Sequence, residues 1–373
     1  MRNDGELYEG FSDGYVSHLY KKGERNDIRN YRPITLLNGD YKVLTRILAK
    51  RMLRIVTQFV SDNQIGFVPR TFISESTMLI KLIQAHLDSI DEGGLLVFLD
   101  LEKAFDRCSW SYLHRDMRSL RFTTPFTSWI DLFYDESVGQ KRQVYANGFL
   151  SRPYQVKVGT AQGCPLSPLL FLLIVEGRTR LVGNDETLIG INIGELRHII
   201  SHFTDDTIGF LKDKLQLPKF DAHIRTFCEA TNMAENLSKR NILPIGNLGD
   251  KPHDSFVGPD RPSYLCTVWS LTKNRFIIPG WIEYGEYLIS LGIPIGNGLD
   301  VTPFLGGIYR SAKAKLASIP LVSYIGLVDK HRLLGANFYG KFRYYLWSLS
   351  FPKRIWLLTP TPSSGGVFQV LTP

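Results

Sequence analysis

Hydrophobic residues recur with helical spacing along several stretches of the chain. Between residues 41 and 60 the apolar side chains fall on one stripe and the basic side chains fall elsewhere, which predicts an amphipathic helix with a basic outer surface. That apolar stripe comprises Leu44, Ile47, Leu48, Leu53 and Val56. The same pattern predicts helices at 76–90, 126–134, 169–181 and 220–236. Ser109 is a candidate cap for one more helix.

Other segments have the pattern of strands. The apolar run LLVFLDL predicts a strand that is buried on both faces and ends at Asp100. The segment HIISHFTDDTIGFL, residues 198–211, predicts a hairpin with the adjacent Asp205 and Asp206 at its turn. Asn147-Gly148 marks a further hairpin turn, between KRQVYA and the later YQVKVG. Helices that alternate with an antiparallel sheet predict the α+β fold class.

The composition is that of a folded protein with a basic surface. Hydrophobic residues make up 44% of the 373 residues, and the net charge of +8 favours a polyanionic partner. Four scattered cysteines without zinc-ligand spacing argue against a disulfide framework or a structural zinc site and favour an intracellular location. The most apolar stretch, PLSPLLFLLIV, is too short to span a bilayer, so we expect no membrane association.

Asp100, Asp205 and Asp206 are the main candidates for chemistry. If the strand that ends at Asp100 lies beside the hairpin, the three carboxylates meet at one edge of a sheet. Neighbouring carboxylates repel each other unless a cation lies between them, and Mg²⁺ prefers carboxylate oxygen. Two such ions would activate a hydroxyl nucleophile and stabilise a leaving pyrophosphate. The alternative interpretation is a solvated turn, because aspartates favour turns.

The residues around these acids resemble the reverse transcriptase domain of non-LTR (LINE-type) retrotransposons. Seven blocks follow one another in the family's order between residues 15 and 296. They read YKKGERNDIRNYRPITLLNGDYKVLTRILAKRM, NQIGFVP, LVFLDLEKAFD, GTAQGCPLSPLLF, FTDD, NLSK and SLGIPIG. The resemblance implies a right-handed polymerase fold with fingers, a palm that carries the antiparallel sheet, and a partial helical thumb.

The resemblance also implies a set of metal-binding and catalytic residues. Asp100 and Asp205 match the family's metal ligands, and Asp206 matches the more peripheral acid of the pair. The implied cofactor is Mg²⁺, as two ions, with Mn²⁺ as a substitute. Lys239 in NLSK matches a lysine near the leaving pyrophosphate, where it could donate a proton, although an isolated surface lysine would be unremarkable.

A further set is implied to bind the nucleotide. Phe105 matches an aromatic gate that packs where a ribose 2′-hydroxyl would lie and favours dNTP over NTP; the alternative is an ordinary core phenylalanine. Gln162 and Gly163 match the lining of the nucleotide and template pocket, where glycine permits close backbone approach. Arg32 could bind phosphate together with Lys21 and Lys22, since arginine suits bidentate contacts. For the two lysines, a solvated basic face is the alternative.

Two departures from the family pattern lie close to these blocks. Arg70-Thr71 stands where the residues after GFVP commonly read Gly-Arg, which raises a question about the local turn. Thr204 stands in FTDD where the family has a small alanine. Because β-branched residues suit strands, we expect the hairpin to persist.

Together these features predict an RNA-directed DNA polymerase, a nucleotidyltransferase that binds an RNA template, a DNA primer and a dNTP. The predicted domains are fingers at 1–94, a palm at 95–296 with a fingers insertion around 120–158, and a truncated thumb-like helical region at 297–373. The alternatives are an RNA-dependent RNA polymerase and a catalytically decayed fragment that only binds nucleic acid through its basic surface. Action in the nucleus is implied by the resemblance alone.

Overall fold

The computed structural model describes residues 7–249, 268–270, 275–277 and 280–317, with residues 344–345, 349, 358–359 and 369–370. The chain divides into two compact units. The first comprises residues 1–76 and 83–281, and the second comprises residues 77–82 and 282–373. The boundaries of the predicted fingers, palm and thumb stay predictions.

The described residues form a mixture of helices and mostly antiparallel strands, which confirms the α+β fold class. The helices are α1 Gly39–Leu53, α2 Ile73–Ser89, α3 Ala104–Arg107, α4 Trp110–Ser119, α5 Thr124–Phe133, α6 Ser167–Gly183, α7 Leu217–Thr231 and α8 Thr302–Ala317. The strands of the first unit are β1 Gly14–Tyr20, β2 Tyr31–Leu37, β3 Gly93–Leu99, β4 Gln140–Ala146, β5 Phe149–Leu150, β6 Tyr154–Val156, β7 Ile191–Ile193, β8 Leu196–His198, β9 Ile200–Phe203, β10 Asp206–Leu211, β11 Asn241–Gly246, β12 Val268–Ser270 and β13 Arg275–Ile277. Those of the second are β14 Leu288–Ser290, β15 Ile293–Ile295, β16 Leu358–Thr359 and β17 Gln369–Val370.

The predicted helices within the first unit form, but some of their ends differ from the prediction. The helix predicted at 41–60 ends as α1 at Leu53, and Val56–Gln58 form a separate short 3₁₀ helix. Helix α4 begins after Ser109, whose hydroxyl accepts a hydrogen bond from Tyr112 N at 3.2 Å, as the sequence predicted. The prediction of a helix to residue 236 was wrong, because Asn232 adopts a left-handed conformation with φ +60° and ends α7 at Thr231.

The apolar stripe predicted for α1 was only partly right. Leu48 is buried, but Ile47 and Leu53 are exposed. The buried face of α1 instead comprises Tyr41, Thr45, Leu48, Ala49 and Met52. This buried face includes a polar residue, Thr45. Its hydroxyl donates to Tyr41 O within the helix at 2.7 Å, so Thr45 is buried without losing a hydrogen bond.

A four-stranded antiparallel sheet forms the centre of the first unit, in the order β11-β3-β10-β9. Strand β3 is central and its residues from Gly94 to Leu99 are buried, as the continuous apolar run predicted. Its side chains at Leu95, Val97 and Leu99 belong to one core cluster with residues of α7. This packing fixes the strand whose end carries Asp100.

A second sheet in the first unit has the order β2-β1-β4-β5, with β6 also paired to β4. Strands β1 and β4 are parallel, and β1 and β2 form an antiparallel hairpin. The predicted turn at Asn147-Gly148 joins β4 to β5, and both residues have the positive φ that a two-residue hairpin turn of this kind requires.

The second unit contains a short hairpin and a helix. Strands β14 and β15 pair across Leu291 and Gly292, within the SLGIPIG block, and α8 follows. Helix α8 agrees with the helical pattern of the C-terminal region. Most of the thumb-like region predicted at 297–373 lies outside the described residues.

Candidate active site

Three acidic residues meet at one end of the four-stranded sheet. Asp100 follows the last residue of β3, and Asp206 is the first residue of β10. The last pair in the ladder between these strands is Leu99 with Thr207, so Asp100 and Asp206 each lie one residue beyond it. Asp205 lies in the turn between β9 and β10. The structure therefore brings together the three acids that the sequence singled out.

The acids influence one another electrostatically. Burial raises the pKa of Asp205, and the negative charge of Asp100 raises it further. The pKa of Asp206 rises to about 6, first through the loss of hydration in the crowded end of the sheet and then through the charges of Asp205 and Asp100. Asp206 nonetheless remains open to solvent as a residue, as expected for the more peripheral acid. A cluster of this kind gains from a bound cation.

Lys239 supplies one cation to the cluster. Its Nζ donates to Asp100 Oδ2 at 2.6 Å, and Asn236 N donates to Asp100 O at 2.8 Å. Within the described residues no group of three or more His, Cys, Asp or Glu side chains is arranged to hold a metal ion. The carboxylate oxygens are the donors that a hard divalent cation prefers, and the Lys239 ammonium occupies one of the acceptor positions of Asp100 Oδ2.

One basic residue next to the β1–β2 hairpin strands, Lys21, acts electrostatically on the acids. Arg32 lies on β2 opposite Leu19, and Lys21 follows β1. Burial lowers the pKa of Lys21, and the positive charges of Arg32, Lys239 and Lys22 lower it further, while Asp100 opposes them. Sequence reasoning left Lys21 between a phosphate-binding role and a solvated face. The structure places it among cations that an anionic ligand would neutralise.

Gln162 and Gly163 lie in a loop that packs on β2. Thr35 N donates to Gln162 O at 2.8 Å, and a Cβ at Gly163 would lie 2.6 Å from Thr35 O. Gly163 also has φ +121°, so glycine is required there by both contact and conformation. The side-chain Nε2 of Gln162 donates to Asp106 Oδ1 at 3.1 Å. The sequence had assigned no chemistry to Asp106.

Phe105 joins the same loop to the core. Thr160 N donates to Phe105 O at 2.6 Å, and the Phe105 ring stacks on Phe171 with 4.5 Å between ring centroids. Phe105 is partly buried, so one side of it belongs to the core and the rest is accessible. Both interpretations from the sequence, a gate and a core residue, fit this placement.

The acid turn has an unusual backbone. Thr204 is buried and has φ +63°, in the left-handed region that β-branched residues rarely adopt. The hairpin persists as expected, but the reason given for it was wrong, because Thr204 lies in the turn and not in a strand. Arg70 also has a left-handed backbone, with φ +69°, at the position where the family commonly has glycine. The local turn is thus retained without the glycine.

A buried arginine behind the turn was missed by sequence reasoning. Arg178 on α6 is fully buried, and its guanidinium donates to His202 Nδ1 at 3.0 Å and to the Thr207 hydroxyl. Thr207 Oγ1 in turn donates to Asp205 O at 3.3 Å. Burial lowers the pKa of Arg178 to about 10, so it stays charged at neutral pH. The signal in the sequence was an arginine within a largely apolar helix, close to two other charged residues, Glu176 and Arg180.

Comparisons with known proteins show the family to which the chain belongs. The family model described as "Reverse transcriptase (RNA-dependent DNA polymerase)" matches residues 20–262. The chain is 28% identical over 244 residues to the transposon TX1 uncharacterized 149 kDa protein of Xenopus laevis, covering 65% of this chain and 18% of that protein. It is 28% identical over 200 residues to the RNA-directed DNA polymerase from mobile element jockey of Drosophila funebris, covering 52% and 20%. The chain thus spans about a fifth of the length of these curated relatives.

The solved structures that the chain matches include a telomerase. The apo telomerase of Candida tropicalis, truncated from its C-terminal domain, matches with a TM-score of 0.46 and 12% identity, covering 64% of this chain and 51% of that one. Among the helices within the described ranges, none has the length and apolar character needed to cross a membrane.

Proposed function

Because the chain belongs to the reverse transcriptase (RNA-dependent DNA polymerase) family, we propose that it copies an RNA template into DNA by adding nucleotides from dNTPs to a primer 3′-hydroxyl. The observation that carries this proposal is the meeting of Asp100, Asp205 and Asp206 beside a group of cations from β1, β2 and the NLSK block. Acids that can hold metal and cations that can hold phosphate are the two parts that nucleotidyl transfer needs.

We propose that the three acids bind the divalent cations that the family generally uses. We assign Asp100 and Asp205 as the ligands and Asp206 as a supporting charge, with two Mg²⁺ ions as the natural cofactor. When bound, the ions make the attacking hydroxyl more acidic and offset the charge on the leaving pyrophosphate. Before a metal ion binds, the Lys239 ammonium lies beside Asp100 and limits the repulsion between the acids.

We propose that the basic residues near the acids bind the triphosphate of the dNTP. Lys21 acts electrostatically on the acids and is repelled by Arg32, and this repulsion is relieved when a polyphosphate lies between the two cations. Lys239, once it releases Asp100 Oδ2, is free to donate to the pyrophosphate. The bond that forms joins the primer O3′ to the α-phosphorus, and the bond that breaks joins that phosphorus to the oxygen of the β-phosphate.

We propose that the nucleoside part of the dNTP lies against Phe105, Gln162 and Gly163. Gly163 allows the loop backbone to lie against β2, and Asp106 fixes the amide of Gln162. The accessible side of Phe105, backed by Phe171, would leave no room for a ribose 2′-hydroxyl. This side of the Phe105 ring therefore favours a deoxyribonucleotide as the substrate.

Primer extension on a poly-rA template with Mg²⁺ tests the proposal. The wild type is expected to extend an oligo-dT primer with dTTP and to use UTP poorly. Phe105→Ala removes the ring that would exclude the ribose 2′-hydroxyl. UTP use relative to dTTP should therefore rise by about tenfold or more, since a lost steric exclusion of this kind is worth over 1.4 kcal/mol. The exposed Phe72, changed to alanine, is the control.

The outcomes separate the proposal from its alternatives. Preference for UTP by the wild type would indicate an RNA polymerase. Salt-dependent binding of the primer–template without extension by either nucleotide would indicate a protein that only binds nucleic acid. Equal discrimination by Phe105→Ala and wild type would remove Phe105 from the nucleotide site.

A further inference from the structure

The turn that carries Asp205 is held by a buried glutamine from a distant part of the chain. Gln64 is 2% exposed. Its Oε1 accepts one hydrogen bond from Thr204 N at 3.2 Å and another from Gly66 N at 3.0 Å. Thr204 directly precedes Asp205, so one amide oxygen ties the NQIGFVP block to the backbone of the acid turn.

The backbone around Gln64 extends the four-stranded sheet at its β9 edge. His202 N donates to Asn63 O at 2.7 Å, and Ile65 N donates to His202 O at 2.8 Å. These bonds form a parallel bridge between Gln64 and His202. The segment is thereby fixed against the strand that leads into the turn, which gives the Gln64 side chain a firm base.

The conformation of the turn needs such support. Thr204 has φ +63°, and a β-branched residue in this region persists only where neighbouring groups hold it there. Gly66 lies against the same residue, because a Cβ at Gly66 would lie 2.5 Å from Thr204 N and 2.4 Å from its hydroxyl. Both contacts from the block therefore act on Thr204, and the position of Asp205 depends on them.

We propose that Gln64 is a positioning residue for Asp205. Its hydrogen bond to Thr204 N fixes the turn, and the turn sets where the Asp205 carboxylate lies when it binds a divalent cation. Gln64 touches none of the reacting atoms. The proposal rests on the proposed function only in taking Asp205 as a metal ligand. Groups that support metal ligands in this way typically change metal affinity by about 10- to 100-fold.

Gln64→Met tests the proposal, because methionine has a similar length and cannot accept the two amide hydrogen bonds. Gln216→Met is the matched control. Gln216 is also buried, at 7% exposed, and its Oε1 accepts from Gly190 N at 3.3 Å beyond the opposite end of β10. Both variants lose a buried acceptor for backbone amides, but only the first loses one that acts on the acid turn.

Two readouts are measured on the full chain: binding of Mn²⁺ by electron paramagnetic resonance, and the Mg²⁺ concentration that gives half-maximal primer extension. We expect Gln64→Met to weaken Mn²⁺ binding and raise the Mg²⁺ requirement by at least about tenfold. Gln216→Met should lower the melting temperature while both metal readouts stay at the wild-type value. A loss of fold stability alone does not move a metal affinity in the folded fraction.

A second variant covers the case in which Gln64→Met does not fold. Gly66→Ala pushes on Thr204 from the same block and should weaken Mn²⁺ binding likewise, whereas Gly39→Ala, with open space around its Cβ, should not. Wild-type metal affinity in a folded Gln64→Met or Gly66→Ala protein would overturn the positioning role and leave the proposed function standing. A wild type that binds no Mn²⁺ would overturn both.

Discussion

At the scale of single residues, several residues in and near the acid turn have a strained backbone. Phe67, Arg70 and Thr204 all have positive φ without being glycine, and all lie in or against the NQIGFVP segment. Such conformations cost free energy and persist where packing fixes them. Strain of this kind marks the region whose geometry the site depends on.

Arg70 offers a direct measure of that strain. Arg70 is exposed and has φ +69°, so Arg70→Gly should raise the free energy of unfolding by about 1 kcal/mol through relief of the left-handed backbone. Arg54 is also exposed but has φ −71°, and Arg54→Gly should lower stability by about the same amount. Urea unfolding followed by tryptophan fluorescence measures both; a destabilised Arg70→Gly would show that the side chain makes contacts that outweigh the strain.

The sequence identified some site residues and missed others for a physical reason. Asp100, Asp205 and Asp206 were found because acids beside apolar strands are conspicuous. Gln64 and Arg178 were not assigned, because their importance comes from hydrogen bonds that form only when distant segments meet. Residue type alone carries no information about such contacts.

At the scale of elements, α4 and α6 are joined by a group of charges. Asp116 on α4 lies near Glu176 and Arg180 of α6, and Glu176 accepts from Ser61 N at 3.0 Å and Arg180 Nε at 3.0 Å. Burial raises the pKa of Asp116 to about 6; Arg180 opposes the rise and Glu176 adds to it. Among the described residues no group donates a hydrogen bond to its Oδ2.

This raised pKa predicts a pH dependence of stability. The unfolded chain releases the Asp116 proton near pH 3.8 and the folded chain near pH 6, so stability should fall as the pH rises from about 4 to 6 and then level off. Asp116→Asn should remove this fall and raise the free energy of unfolding at pH 7 by on the order of 1–2 kcal/mol, after allowance for partial exposure. Melting temperatures at pH 4, 6 and 7.5 measure it, with the exposed Asp88→Asn as control; parallel profiles for wild type and Asp116→Asn would contradict it.

The elements themselves were largely predictable. The buried strand β3, the β9–β10 hairpin and helices α4, α5 and α6 follow from apolar periodicity and local caps. The strands β1 and β2 were not predicted, since the entry segment has no clean alternation and pairs with the distant β4. The early end of α7 depends on the conformation of Asn232, which a periodic pattern does not reveal.

At the scale of the whole molecule, a basic chain brings three of its 36 acidic residues together at one place. The net charge is +8, yet Asp100, Asp205 and Asp206 meet at one sheet end, with Lys21 and Lys239 as the nearest cations. A basic surface suits a nucleic-acid backbone, and a local acidic centre suits metal-assisted chemistry on it. Family membership agrees with both properties. The reaction that we propose joins them.

The most direct test is Mg²⁺-dependent primer extension on an RNA template by the wild type and by Asp205→Asn, with Asp88→Asn as an exposed acid control. Asparagine keeps the size of the side chain and removes the charge that would hold the cation. We predict extension by the wild type and by Asp88→Asn, and none above background by a folded Asp205→Asn. Undiminished extension by Asp205→Asn would contradict the assignment of this site.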